Sequence, residues 1–125
     1  MNKHWANDPV NSPNHYTRSH PGMECIGLTE DTSFCLGNAI KYLWRYHSKG
    51  RPVEDLEKAR WYLCRCIDRC ERIAWTRQQR DMLSKLALED SAPYVEIALW
   101  ADLHQGDLDA TLYHLDTLIE QEKNQ

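Results

Sequence analysis

Residues 38–63, NAIKYLWRYHSKGRPVEDLEKARWYL, decide the fold. Apolar residues recur every three or four positions on both sides of SKGRP, the pattern of two amphipathic helices joined by a turn. Gly50 suits a left-handed helix end, and Pro52 bars continuation of the first helix. At about 100° per residue, Leu36, Ile40, Leu43 and His47 share one face, which is expected to meet the core. Asn38, Lys41, Arg45 and Lys49 share the opposite face, so an amide and three cations line up along one stripe.

Upstream of this pair, Pro9, Pro13 and Pro21 stand among Asn, Ser and Gly residues and predict an extended, non-helical arm. MECIGLT (23–29) fits either a short strand or the lead into a helix. Asp31, Thr32 or Ser33 can cap a helix from about Phe34 to His47. The second helix starts near Val53 with Glu54, Asp55 and Glu57 in its first turn, where the helix dipole favours acids. Its apolar stripe reads Leu56, Ala59, Leu63, Cys66, Ile67, Cys70 and Ile73. Downstream, helices are expected at about 77–90, 92–105 and 107–122, with Gly106 separating the last two and Asp107 capping the final one. No run alternates with period two. The expected fold is all-α: one domain over 1–125, of about five helices behind an extended N-terminal arm. It divides into arm and lead-in (1–33), a helical hairpin (34–75) and an acidic helical extension (76–125).

Composition narrows the function. With 42% hydrophobic and 27% charged residues, the chain has the balance of a soluble globular domain. No apolar run approaches a membrane span, the first residues lack the hydrophobic core of a signal peptide, and five cysteines point to reduced thiols in a cytoplasm. The net charge of −4 is unevenly spread: residues 1–80 hold 13 Lys and Arg against 9 Asp and Glu, residues 81–125 hold 2 against 10. A basic front suits an anionic ligand, and opposite halves suit self-association into a homo-oligomer. The basic surplus is too small for a duplex nucleic-acid binder.

The stripe is the leading chemical feature. No acid lies between Phe34 and Gly50 to neutralise it, and Tyr42, Trp44 and Tyr46 interleave with its cations as stacking surfaces. Arg45 can fork onto phosphate oxygens while lysines act as point charges. If the arm folds over the stripe, His15 can protonate or hydrogen-bond a phosphate oxygen and Tyr16 can stack on a base. Asp55 and Lys58, one turn apart, read either as an ordinary ion-paired helix start or as a carboxylate orienting Lys58 or Arg45. Other constellations are weaker. Cys64 and Cys66 point about 200° apart on a helix, so a zinc site with Cys70 is not expected. Glu54, Glu57, Asp68 and Glu71 match the acid spacing of all-α nucleotide pyrophosphatases, but lie too far apart on one helix to share a metal. Neither GxxxxGK[ST] nor GxGxxG occurs. No resident metal is expected.

Together, VNSPNHY, MECI, FCLGNAIKYLWRYHSKG and VEDLEKARWYL resemble a small phage-encoded family once described only as a domain of unknown function. Its characterised branch is a nucleotide kinase made early in infection by a lytic coliphage. The resemblance covers Pro13 to Leu63. It implies a multimeric, P-loop-free protein that handles deoxynucleotides in the cytoplasm of an infected host cell, with its motif falling on His15, Tyr16, Glu24, Asn38, Lys41, Arg45, Lys49, Asp55 and Lys58. The function expected is a (deoxy)nucleoside monophosphate kinase using a nucleoside triphosphate donor, with magnesium not implied. His15, Arg45 and Asp55 are the expected catalytic groups. Tyr16, Glu24, Asn38, Lys41, Trp44, Lys49 and Lys58 are expected to bind nucleotide or phosphate. Two alternatives are a non-catalytic binder that sequesters a nucleotide or cyclic-nucleotide signal of host defence, and an interaction protein that uses its acidic C-terminal helices.

Overall fold

In the computed structural model the described residues are 22–48 and 50–125, and all their regular structure is α-helical. Six helices follow in order: α1 Cys25–Thr29, α2 Phe34–Arg45, α3 Pro52–Asp68, α4 Arg77–Leu86, α5 Tyr94–His104 and α6 Leu108–Lys123. MECIGLT thus resolves as a helix rather than a strand, adding one element to the five expected. The N-terminal arm up to residue 21 lies outside the described residues. No helix among them is long and apolar enough to cross a membrane.

Local chemistry sets the boundaries. Ser33 caps α2, its hydroxyl oxygen accepting from the Leu36 N–H at 3.1 Å while its own proton goes to Glu71 Oε1 at 2.6 Å. Gly50 takes φ 77° in the turn that follows, and Pro52 occupies the first turn of α3, where a missing N–H costs nothing. The expected stripe of α3 is buried at Leu56, Ala59, Leu63 and Cys66, but the helix stops at Asp68, short of Cys70 and Ile73. The Cys70 N–H donates to the Ile67 carbonyl and the Glu71 N–H to the Cys66 carbonyl, closing a Schellman turn with Cys70 at φ 54°. Cys70 is exposed rather than core. Thr76 and Gln79 form a reciprocal capping box at α4, and Gln79 Nε2 reaches the Leu28 carbonyl to tie α4 to α1. Asp107 caps α6 as expected, accepting from the Ala110 N–H at 3.0 Å.

Two helical hairpins, α2–α3 and α5–α6, pack together through α3 and α6, while α1 and α4 close one end. The core runs between the hairpins. Trp44 and Trp100 meet edge to face at 6.3 Å, among wholly buried Ile40, Leu56, Leu99, Leu115 and Leu118. Full burial of each such side chain contributes about 1.5–3 kcal/mol before ordering costs. The hairpin α2–α3 therefore presents its other face, the cationic one, away from this core.

Candidate functional site: a cation–aromatic face on the first hairpin

On α2, Leu36, Ile40 and Leu43 are buried, which turns Asn38, Lys41 and Arg45 outward as the periodicity requires. Lys58 joins them from α3. Lys41 Nζ lies 4.5 Å, the Arg45 guanidinium carbon 4.8 Å and Lys58 Nζ 5.5 Å from the centre of the Tyr42 ring. Three cations held around one aromatic ring create a local positive potential that favours an anion. Among the described residues no carboxylate pairs with Lys41. Lys58 shares the exposed Glu54 with Arg51, both at 3.7 Å, which is a weak surface arrangement.

Asp55 faces Arg45, the second of the two partners weighed from sequence. Its carboxylate is 3% exposed and Oδ2 stands 3.6 Å from Arg45 Nε. That separation is an ion pair but not a hydrogen bond, and both atoms are buried without a hydrogen-bond partner among the described residues. The Arg45 side chain is 16% exposed, so only the part of its guanidinium away from the buried Nε can reach another anion. Asn38, by contrast, spends an amide proton on the Phe34 carbonyl at 2.8 Å, within its own helix.

Other expectations need correction. Trp44 is wholly buried against Trp100 and packs the core, so it offers no stacking surface to a base. Tyr46 is also buried, its hydroxyl donating to Glu96 Oε1 at 2.6 Å, and burial together with that carboxylate pushes its phenol well above the ordinary range. The α2 helix ends before His47, which lies half exposed and hydrogen-bonds Glu96 Oε1 at 2.8 Å instead of facing the apolar core. Glu24 stands at the start of α1, on an open cavity of about 400 Å³ between α1 and α4. None of the described stripe residues lines that cavity. His15, Tyr16 and Lys49 lie outside the described residues. Among the described residues no group of His, Cys, Asp and Glu is arranged to hold a metal ion.

Two features escaped the sequence reading. Tyr62 of α3 stacks parallel on Tyr42 at 6.1 Å and meets Phe34 and Trp61 edge-on at 6.0 and 5.1 Å, continuing the aromatic surface along the hairpin. The signal was present in the register, since Phe34, Asn38 and Tyr42 recur every four residues on the polar side of α2. The other feature is Glu96, 2% exposed on α5, which accepts from Tyr46, His47 and Trp100. Burial works to raise its carboxyl, but the hydrogen bonds from His47 and Tyr46 outweigh that and hold it below the ordinary value. A lone acid inside the apolar run YVEIALW was its signature.

Residues 10–64 match the family described as a protein of unknown function, DUF3310, and the match thus contains Lys41, Arg45, Asp55 and Lys58 and ends before Arg65. The comparisons with curated proteins and with solved structures gave no match.

Proposed function

We propose that the chain is a nucleotide-binding protein whose phosphate site is the Lys41–Arg45–Lys58 cluster, and that its reaction is phosphoryl transfer to a nucleoside monophosphate. The observation carrying this reading is the convergence of those three cations on the Tyr42 ring. The cluster combines the two surfaces a nucleotide offers, a phosphate and a flat base. In the reaction, a monophosphate oxygen attacks the γ-phosphorus of a nucleoside triphosphate, releasing one diphosphate and forming another. Charge spreads over the three equatorial oxygens of the transferred group, where Lys41 and Arg45 supply fixed positive charge. Asp55 holds Arg45 in place. His15, from the arm, supplies the group that titrates near neutral pH. The protein works as a homo-oligomer in the cytoplasm of an infected host.

Retention of a nucleotide without turnover is the second reading, favoured by the burial of Asp55. The buried carboxylate at the cluster faces Arg45 rather than solvent, and sequestration needs no base.

Calorimetric titration with nucleoside mono- and triphosphates tests both. Lys41→Ala removes a cation that, among the described residues, has no carboxylate partner to strand. It should weaken binding about tenfold, the scale of one charge-assisted hydrogen bond, without changing the melting temperature. Unchanged affinity would remove the site. Product analysis then separates the readings: His15→Ala should lower turnover more than affinity in a kinase, while a sequestering protein forms no diphosphate with any donor.

A further inference from the structure

The aromatic and cationic surface does not end at Tyr42. Phe34, 76% exposed, and Trp61, 61% exposed, flank Tyr62 at the far end of the hairpin, and the Arg65 guanidinium lies 5.8 Å from the Trp61 ring. Large aromatic rings are costly to leave in water, yet neither is covered by any described segment. At 1.5 Å per residue, Phe34 lies about 12 Å along α2 from Tyr42, and Arg65 about 10 Å along α3 from Lys58. The second group repeats the pairing of the first, a ring with a cation beside it, but its rings are exposed where Tyr42 is partly buried. One nucleotide carries one base and cannot cover both ring surfaces at that separation.

We infer that Phe34, Trp61 and Arg65 form a second base-and-phosphate subsite, so that the face of α2–α3 takes two nucleotide units side by side. The inference rests on the proposed phosphate site at Lys41, Arg45 and Lys58, and deepens it by fixing the size of the ligand. Tyr62 is the bridge, its ring parallel to Tyr42 on one side and edge-on to Phe34 and Trp61 on the other. Stacking of bases on such rings tolerates any base, and a guanidinium between rings and solvent suits the phosphate that joins or follows them. The two units can be linked in one molecule or arrive as two separate nucleotides. The chemistry recognised is the same.

The test is calorimetry on the full chain with a deoxynucleoside monophosphate, a linear dinucleotide and a cyclic dinucleotide. Linked units should bind with 1:1 stoichiometry and at least about tenfold more tightly than the monophosphate, because one base stacked on an aromatic ring contributes that much. If the units are separate, the monophosphate should instead bind with two per chain. Phe34→Ala and Trp61→Ala, both at exposed positions, should abolish the dinucleotide advantage or remove the second monophosphate while leaving the first intact. One monophosphate per chain, with dinucleotides no tighter and both variants silent, overturns the second subsite and leaves the first standing. If Lys41→Ala also leaves every affinity unchanged, the phosphate site falls with it. Light scattering of the same samples covers the remaining occupant: an oligomer that dissociates in Trp61→Ala, with nucleotide binding unaltered, makes the patch a contact between copies and overturns the inference.

Discussion

The two hairpins solve the same problem, a buried carboxylate, in opposite ways. In α5–α6 the Glu96 carboxylate receives hydrogen bonds from Tyr46, His47 and Trp100. In α2–α3 the Asp55 carboxylate faces Arg45 across 3.6 Å, and the facing atoms of the pair have no hydrogen bond. A buried ion whose oxygens are satisfied is a structural fixture, because every donor around it depends on it. A buried pair held by charge alone leaves Arg45 Nε and Asp55 Oδ2 without a hydrogen bond, so less of the surrounding structure depends on it. The contrast separates the residue that locks the hairpins together from the pair beside the proposed phosphate site.

The largest effect should therefore come from the locked carboxylate. Glu96→Ala removes the acceptor of the wholly buried Tyr46 hydroxyl and of two further donors, and should destabilise the chain by about 3 kcal/mol or more. Urea denaturation measures it. A loss below about 1 kcal/mol would mean that the network is incidental.

Arg45→Ala should cost less, about 1–3 kcal/mol, by leaving Asp55 buried without its counter-charge. The stripe alone suggests that this residue touches only ligand. The structure adds the partner from α3, so a lost affinity in Arg45→Ala is interpretable only beside the double variant Arg45→Ala/Asp55→Asn. That variant should recover most of the stability but none of the nucleotide affinity. If it recovers both, Arg45 serves the fold alone.

How far sequence carried the reading follows from the same two hairpins. The α2–α3 pair was legible because its apolar period, Gly50 and Pro52 agree on one answer, and its outward cations follow from the inward Leu36, Ile40 and Leu43 by geometry. Periodicity assigns a face, however, and not the depth of burial. Trp44 sits one position beyond Leu43, close enough to the core-facing arc to be swallowed by Trp100, and sequence gave no means of knowing that α5 would supply the partner. Glu96 was missed for the same reason. Its donors come from residues 46, 47 and 100, and only tertiary packing brings the first two to α5. The end of α3 was misjudged because the apolar spacing continues through Cys70 and Ile73 while the backbone turns left-handed at Cys70.

A pH series sharpens the comparison between the carboxylates. Glu96 has its folded pKa held below the ordinary 4.5, so it contributes stability that is present above that value and lost as pH falls through the folded one. The wild-type chain should lose stability in acid, below about pH 4.5. Glu96→Gln, with no carboxylate to protonate, should be less stable at neutral pH and have a flatter acid limb. Denaturation midpoints between pH 3 and 7 check this, and parallel slopes for the two proteins would show that another group controls the acid limb.

The smallest effects lie where α3 and α5 end, since both helices close on the same turn with different residues in it. At the end of α5, Gly106 takes φ 73°, its N–H donating to the Leu103 carbonyl and the Asp107 N–H to the Asp102 carbonyl. At the end of α3, Cys70 makes the equivalent bonds at φ 54° but carries a Cβ that disfavours this conformation. A methyl added at Gly106 meets nothing nearer than Ile73 Cβ at 3.9 Å, so space does not oppose it and backbone strain alone decides. Cys70→Gly should therefore stabilise the chain by up to about 1 kcal/mol, and Gly106→Ala should destabilise it by a similar amount. The opposite signs share one cause, because one change removes a Cβ from a left-handed residue and the other adds one. If Cys70→Gly instead destabilises, the exposed thiol makes a contact that outweighs the strain of its backbone, and the end of α3 is held by its side chain rather than by its turn.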